Sequence, residues 1–231
     1  MTMSTTTTTA SAAGTAGATS TALAGLRNVR QLGGMRTFDG RVTRHGFLWR
    51  SGRTDGVDPT ALHGAGIRTV VSLRRDSEEH RYTDGPVRYH SCPVFPAGQD
   101  VPAELADVYR LMVDACGPAL AHAVGRIADS DGPALVHCAA GKDRTGLVAA
   151  MVLDVLGVPE RRVLDDYLAS NAQSHLSPDA AEATGRPVTE ALLVDAFRRI
   201  RARHGSVTEY LSHHGLEPAQ LTRLRATALE P

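Results

Sequence analysis

Residues 134–146, Ala-Leu-Val-His-Cys-Ala-Ala-Gly-Lys-Asp-Arg-Thr-Gly, constrain this chain more than any other stretch. The turn signal Asp131-Gly132-Pro133 precedes them, and Ala134–His137 reads as a short buried strand. A helical periodicity starts at Arg144, runs to Leu156 and stops at Gly157, so a helix follows the strand almost at once. The first turn of any helix holds N–H groups with no intrahelical partner. The aligned peptide dipoles place roughly half a positive charge there. A loop bent around those donors is a cradle for a phosphate-sized anion. Gly141 gives the backbone the dihedral freedom that such a bend needs.

The rest of the chain supplies the layers around this unit. Asn28–Gly34 reads as a short extended piece and Phe47–Ser51 as a strand, with Asp39-Gly40 as a turn between them. Asp58 as N-cap and Pro59 at the first helical position predict a helix over 59–63. Ile67–Leu73 and Val87–Val94 are further strands. Helical spacing covers 101–115 and 118–130, broken at Gly117-Pro118. The C-terminal third is helical: about 159–170, 188–203, 206–214 and 217–229. Residues 173–187, with Pro178, Gly185 and Pro187, form the expected mobile connection. Met1 to Thr21 is almost all Thr, Ser, Ala and Gly, which predicts a disordered tail over 1–22 and one ordered domain over 23–231. Strands interleaved with helices predict an α/β fold, a mostly parallel sheet of four to five strands flanked by helices.

Into the cradle the sequence places Cys138 and, six positions on, Arg144. The field at a helix start favours the thiolate, the nucleophilic form of cysteine. The Arg144 guanidinium is a planar fork that holds two oxygens at once. Thr145 sits where its hydroxyl can bond the sulfur, and His137 supports the loop from behind. The phosphate-binding positions are Ala139, Ala140, Gly141, Lys142, Thr145 and Gly146. Lys142 is the only lysine in the chain, and it widens the positive field unless it faces solvent. The loop is not the nucleotide-binding Gly-Lys-Ser/Thr type, because Asp143 follows Lys142. Arg144 and the loop amides supply the positive field, so no metal and no cofactor is expected.

The segment His137–Gly146 resembles the loop of the cysteine-dependent phosphatases with a CX5R(S/T) motif, in particular the bacterial HCxxGKDRTG group of tyrosine and dual-specificity phosphatases. Asn28–Gly34, Phe47–Gly52 and Thr69–Glu78 resemble that group's N-terminal signature. Ser206–Leu224 resembles its C-terminal helices. The resemblance covers roughly 26–229 and implies a tyrosine-phosphatase-like fold and hydrolysis through a phospho-cysteine. The group usually carries Asp where Gln31 and Ser72 stand, so two carboxylates near the presumed site are missing.

Ester cleavage needs a proton for the leaving oxygen. Similar Lys-Asp-Arg-Thr loops imply Asp143 as the donor. Many relatives use an Asp on a separate loop, which here leaves Asp100 and Asp107 as alternatives. An Asp at this place also has an ordinary alternative use, capping the helix that follows. Arg50, Arg53 and Arg74 lie at predicted strand ends, where solvated side chains are the ordinary expectation and reach toward a substrate the other. Cys92 and Cys116 read as core thiols, with a protective disulfide to Cys138 as the alternative.

Twenty-five basic residues balance twenty-five acidic ones, so no global field recruits nucleic acid or an anionic membrane. No apolar run approaches the roughly 20 residues needed to span a bilayer, and three scattered cysteines give no disulfide framework. The chain is expected in the cytoplasm. Three functions follow: hydrolysis of phosphotyrosine-like esters on a phosphorylated protein, hydrolysis of a small metabolite phosphate (a nucleotide, sugar or inositol phosphate), or a silent phosphate-binding module.

Overall fold

A computed structural model describes Leu23 and residues 25–78, 85–174 and 186–231. In chain order the elements are β1 (Arg30–Gln31), β2 (Val42–Thr43), β3 (Leu48–Ser51), α1 (Pro59–Gly64), β4 (Thr69–Ser72), β5 (Arg88–Ser91), α2 (Leu105–Ala115), α3 (Gly117–Ala128), β6 (Ala134–His137), α4 (Asp143–Val155), α5 (Glu160–Ser174), α6 (Glu190–His204), α7 (Val207–His213), α8 (Pro218–Ala228) and β7 (Leu229–Glu230). The tail predicted over 1–22 and most of the connection predicted over 173–187 lie outside the described residues. Among the described residues, no helix is long and apolar enough to cross a membrane.

Local chemistry explains several of these boundaries. Asp58 accepts the Thr60 amide at 2.8 Å, with Pro59 in the first turn of α1, as an N-cap and a first-turn proline should. Ser206 caps α7 in the same way, accepting the Glu209 amide. Helix α4 buries Thr145 to Leu153 without a break, and Val155 beyond them. A helix apolar all round belongs in the centre of a fold.

The main sheet has the order β1-β3-β6-β4-β5, with β1 antiparallel to β3 and the other pairs parallel. Five strands match the expected count, and helices lie on both faces. Alternation along the strands divides the core in two. Val71, Ala134 and Val136 face the large cluster with α2 to α8, while Val70 and Leu135 face a smaller one with Leu23, Leu26, Leu62 and Ile67. The central position falls to β6, whose His137 lies between Ser51 and Ser72. The loop after His137 therefore emerges from the middle of the sheet at its C-terminal edge, where α/β folds place their sites.

Two parts of the predicted pattern change. The extended piece over 28–34 contributes only Arg30–Gln31 to the sheet. The helix expected to reach 229 stops at Ala228, and Leu229–Glu230 pair antiparallel with Val42–Thr43. A two-residue ladder carries no alternation to read, and its partners are far apart in sequence.

Candidate active site

The loop is shaped by what its backbone cannot avoid. Gly141 has φ +69°, and a Cβ there would run into the Ser51 carbonyl and the Gly52 amide. Only glycine fits, on conformation and on space. Ala139 turns its carbonyl to the Arg53 amide at 2.9 Å. Among the described residues, no backbone carbonyl accepts from the amides of Ala139, Ala140 or Gly141. Among the described residues, the first amide of the helix to meet a backbone carbonyl is that of Gly146, which donates to Lys142 at 2.8 Å. Cys138 is 3 % exposed, a free thiol at the root of this ring of donors.

A backbone that points amides inward points carbonyls outward, and buried carbonyls need donors. A network that the sequence reading missed provides them. Arg50 is fully buried; its Nη2 donates to the Gly141 carbonyl at 2.9 Å and its Nη1 to Asp166 Oδ2 at 2.6 Å. Asn28 Nδ2 donates to the same Gly141 carbonyl at 2.7 Å. Arg30 closes the circuit, donating from Nε to Asp166 Oδ1 at 2.6 Å and from Nη1 to Asn28 Oδ1 at 2.5 Å. Asn28 itself has φ +51°, a conformation that asparagine tolerates better than most residues. Burial pushes the Asp166 carboxyl up, but the charges of Arg50 and Arg30 prevail and hold it below the usual carboxylate range. Burial, then Arg50, brings Arg30 down to about 10. The expectation for Arg50 thus fails in both its forms: it is neither solvated nor directed at a substrate.

On the open side, Arg144 Nη1 donates to the Leu73 carbonyl at 3.3 Å and to Glu78 Oε2 at 3.2 Å, and its guanidinium lies 5.8 Å from the Phe95 ring centre. Asp143 is the first residue of α4 rather than its cap, which is Lys142. Its Oδ1 stands 3.4 Å from the Tyr109 hydroxyl, and burial raises its carboxyl above the usual value against the pull of Lys142, Tyr109 and Arg144. Of the alternatives, Asp107 is paired with Arg110 on the surface at 2.5 Å and Asp100 is exposed.

Other predicted positions fall differently. His137 is buried, its ring within 3.4 Å of the Cys138 carbonyl and 3.5 Å of Thr54 Oγ1, which braces the loop. Lys142 is buried rather than solvent-facing and donates to the Arg186 carbonyl. Gly146 lies outside the cradle: its amide is spent within the helix, and it packs against the Tyr167 ring. The Thr145 hydroxyl is buried with no hydrogen-bond partner among the described residues, so the expected bond to sulfur is not made. Arg74 is buried and donates to Asp55 at 2.6 Å. Arg53, half-buried, serves the loop through its main chain.

Cys92, Cys116 and Cys138 are all buried, and none of them is joined in a disulfide. Burial raises the Cys116 thiol. Cys92 donates its amide to Ser72, and Leu73 donates to His137, so Cys92 and Cys138 leave the sheet two strands apart. At about 4.8 Å per strand the separation is roughly 10 Å, beyond the ~4.4–6.8 Å between α-carbons that a disulfide spans.

A family model described as the tyrosine phosphatase family matches residues 21–230. A Cupriavidus necator protein that bears the provisional name of tyrosine-protein phosphatase is 33 % identical over 224 residues, covering 80 % of this chain and 80 % of its own length. The triple specificity protein phosphatase PtpB of Mycobacterium tuberculosis is 29 % identical over 132 residues, 47 % of this chain and 48 % of its own. A crystal structure of TpbA from Pseudomonas aeruginosa superimposes with a TM-score of 0.40 at 23 % identity, over 75 % of this chain and 89 % of that one.

Proposed function

This chain belongs to the tyrosine phosphatase family and is a phosphatase, and we propose that it moves the phosphoryl group of a phosphate monoester first to Cys138 and then to water. The observation that carries the reading is that Cys138 and Arg144 stand at the two ends of one loop whose carbonyls are held by Arg50, Asn28 and Arg53. Such a loop keeps its amides aimed at a bound dianion without reorganising during reaction.

In the first step the Cys138 thiolate attacks phosphorus in line, the S–P bond forms and the ester P–O bond breaks. Asp143 gives its proton to the leaving oxygen; its burial-raised carboxyl suits a group that must be protonated near neutrality. In the second step Asp143 takes a proton from water, whose oxygen attacks phosphorus as the S–P bond breaks. Throughout, the amides of 139–141 and the Arg144 fork hold the equatorial oxygens. Arg144 uses Nη1 for Leu73 and Glu78, and Nε and Nη2 form the fork. The orphaned Thr145 hydroxyl supplies a donor for the sulfur as it departs, and an unmade buried hydrogen bond costs about 1–3 kcal/mol until then.

The substrate class we assign is phosphorylated protein, tyrosine first, in keeping with the tyrosine and triple specificity names of the relatives. Three cysteines outside any disulfide support action in a reducing compartment such as the cytoplasm.

Acid-quenched single-turnover reactions with a phosphopeptide, chelator present, test the mechanism. The native chain should carry covalent phosphate, and Cys138→Ser should bind the peptide without becoming labelled. Label on the native chain at any residue other than Cys138, or turnover that survives alkylation of that thiol, overturns it. For the acid, Asp143→Asn should flatten the alkaline limb of the kcat/KM profile with a poor leaving group; an unchanged limb redirects the role to Asp100 or Asp107.

A further inference from the structure

Beside Asp143, two phenols lie in series within the core. Tyr109, on α2, is 2 % exposed and Tyr167, on α5, is fully buried. Their hydroxyl oxygens are 2.6 Å apart and their rings meet edge to face, at an interplanar angle of 85°. The Tyr109 oxygen also stands 3.4 Å from Asp143 Oδ1. A phenol buried this deeply stays neutral. Burial, then Tyr167 and Asp143, raises Tyr109 well above its ordinary value, and burial does most to raise Tyr167 likewise. Each tyrosine therefore has one proton to donate, and the short contact uses only one of the two.

The direction of that donation follows from the acceptor at the end of the series. Tyr109 donates to Asp143 Oδ1, and a phenol has one proton to give. The Tyr109 oxygen is then left to accept from Tyr167 across the 2.6 Å contact.

Building on the reading of Asp143 as general acid, we infer that Tyr109 is the positioning residue of that acid and that Tyr167 fixes the direction of its hydrogen bond. The Tyr109 proton reserves Oδ1, so the proton that Asp143 transfers sits on Oδ2, the oxygen left to face the leaving group. When Asp143 gives up that proton, the waiting Tyr109 donor stabilises the carboxylate that forms. The 3.4 Å separation is that of a resting site, and catalytic hydrogen bonds tighten in the complex with substrate. The charged and titratable groups around Asp143 are Lys142, Arg144 and Tyr109, and around Tyr109 they are Tyr167, Asp143 and Arg50. A relay made of phenols adds no charge of its own to this set.

The test reads kcat/KM, which reports formation of the phospho-cysteine, for two substrates: an aryl phosphate with a good leaving group and an alkyl phosphate with a poor one. Tyr109→Phe keeps the ring and removes the proton. It should lower kcat/KM about 10-fold for the alkyl ester, the size of one hydrogen bond to a charged group, and less than about 2-fold for the aryl ester, which departs without acid help. Because the lost bond was holding Asp143 down, the alkaline limb for the alkyl ester should move to higher pH. Equal losses on both substrates with an unmoved limb would show mere packing and overturn the inference. Tyr167→Phe, read in the same way, should act in the same sense but more weakly, and decides the matter if the first variant does not fold; a limb and a substrate ratio left at wild-type values then overturn it. Asp143→Asn in parallel separates the two readings. If it leaves the limb intact, the general-acid assignment fails; if it removes the limb while Tyr109→Phe has no selective effect, only the relay fails.

Discussion

Asp166→Asn should do more damage than any other isosteric change in this chain outside the loop. The carboxylate is 5 % exposed and accepts from Arg30 Nε and Arg50 Nη1, both at 2.6 Å. Asparagine keeps the shape and removes the charge, leaving the fully buried Arg50 and the part-buried Arg30 guanidinium groups without their shared carboxylate. Breaking a buried pair by removing one partner costs about 3–5 kcal/mol. For a domain of this size each kcal/mol lowers the melting temperature by about 2–4 °C, so the fall should be about 6–20 °C. Activity should follow, because Arg50 and, through Arg30, Asn28 hold the Gly141 carbonyl. A misplacement near 1 Å can cost on the order of 100-fold, so kcat/KM should fall roughly 10- to 100-fold.

The control is the next residue. Asp165 pairs with Arg161 at 3.1 Å on the exposed face of the same helix, and Asp165→Asn should cost no more than about 1 kcal/mol. The pH dependence has a fixed sign. A carboxyl held low in the fold stabilises it above the unfolded value near ~3.9, and that contribution is lost as pH falls through the lower folded value. The gap in melting temperature between wild type and Asp166→Asn should therefore be level from neutrality down to about pH 5 and close below about pH 4. Thermal unfolding by circular dichroism across that range, with steady-state rates, measures all of it. An Asp166→Asn protein that melts within about 2 °C of the Asp165→Asn control, or keeps full kcat/KM, refutes the reasoning.

Gly141→Ala should fold yet lose at least about 100-fold in kcat/KM, some 2.7 kcal/mol, since the left-handed backbone resists a Cβ and the β3 main chain has no room for one; wild-type rates would show the loop to be more open. Glu78→Gln removes a half-exposed partner of Arg144 and should cost about 2- to 5-fold in kcat/KM with an unchanged melting temperature, as befits a pair worth up to ~1 kcal/mol. Peroxide should inactivate by oxidising Cys138 alone, and peptide mapping that found a Cys92–Cys138 link would contradict the strand spacing.

How much of this was open to the sequence depended on the range of the signal. Asp58-Pro59 before α1, the strand 134–137 and the helix after it declare themselves within a few residues, and the structure places them within a residue of expectation. Cys138, Gly141 and Arg144 were legible for the same reason, since one strand–loop–helix unit carries them. The apparatus behind the loop was not. Asn28, Arg30, Arg50 and Asp166 come from three distant segments, and an arginine in a strand gives no local sign that an aspartate 116 residues on will meet it in the core. Tyr109 and Tyr167 are equally mute, as an aromatic on an apolar helix face looks the same whether its hydroxyl is used or idle.

The same geometry reduces the weight of one departure from the family pattern. Gln31 stands where the family pattern has a carboxylate. Strand β1 runs antiparallel to β3, with Arg30 opposite Arg50 and Gln31 opposite Trp49, so each step from Asn28 leads away from the loop. Gln31 ends beside the start of β3, where Oε1 accepts the Gly46 amide at 2.7 Å and Nε2 meets His45 Nδ1 at 2.9 Å. It braces a turn at the opposite edge of the sheet from Cys138. Ser72, by contrast, is buried directly beside His137, and only that departure alters the surroundings of the loop. Gln31→Asp should thus cost about 1 kcal/mol of stability through the shortened reach to Gly46 and leave the ratio of kcat/KM between phosphopeptides and small phosphates where it was. A shift in that ratio would mean that β1 influences substrate choice across the whole height of the sheet, which the register gives it no means to do.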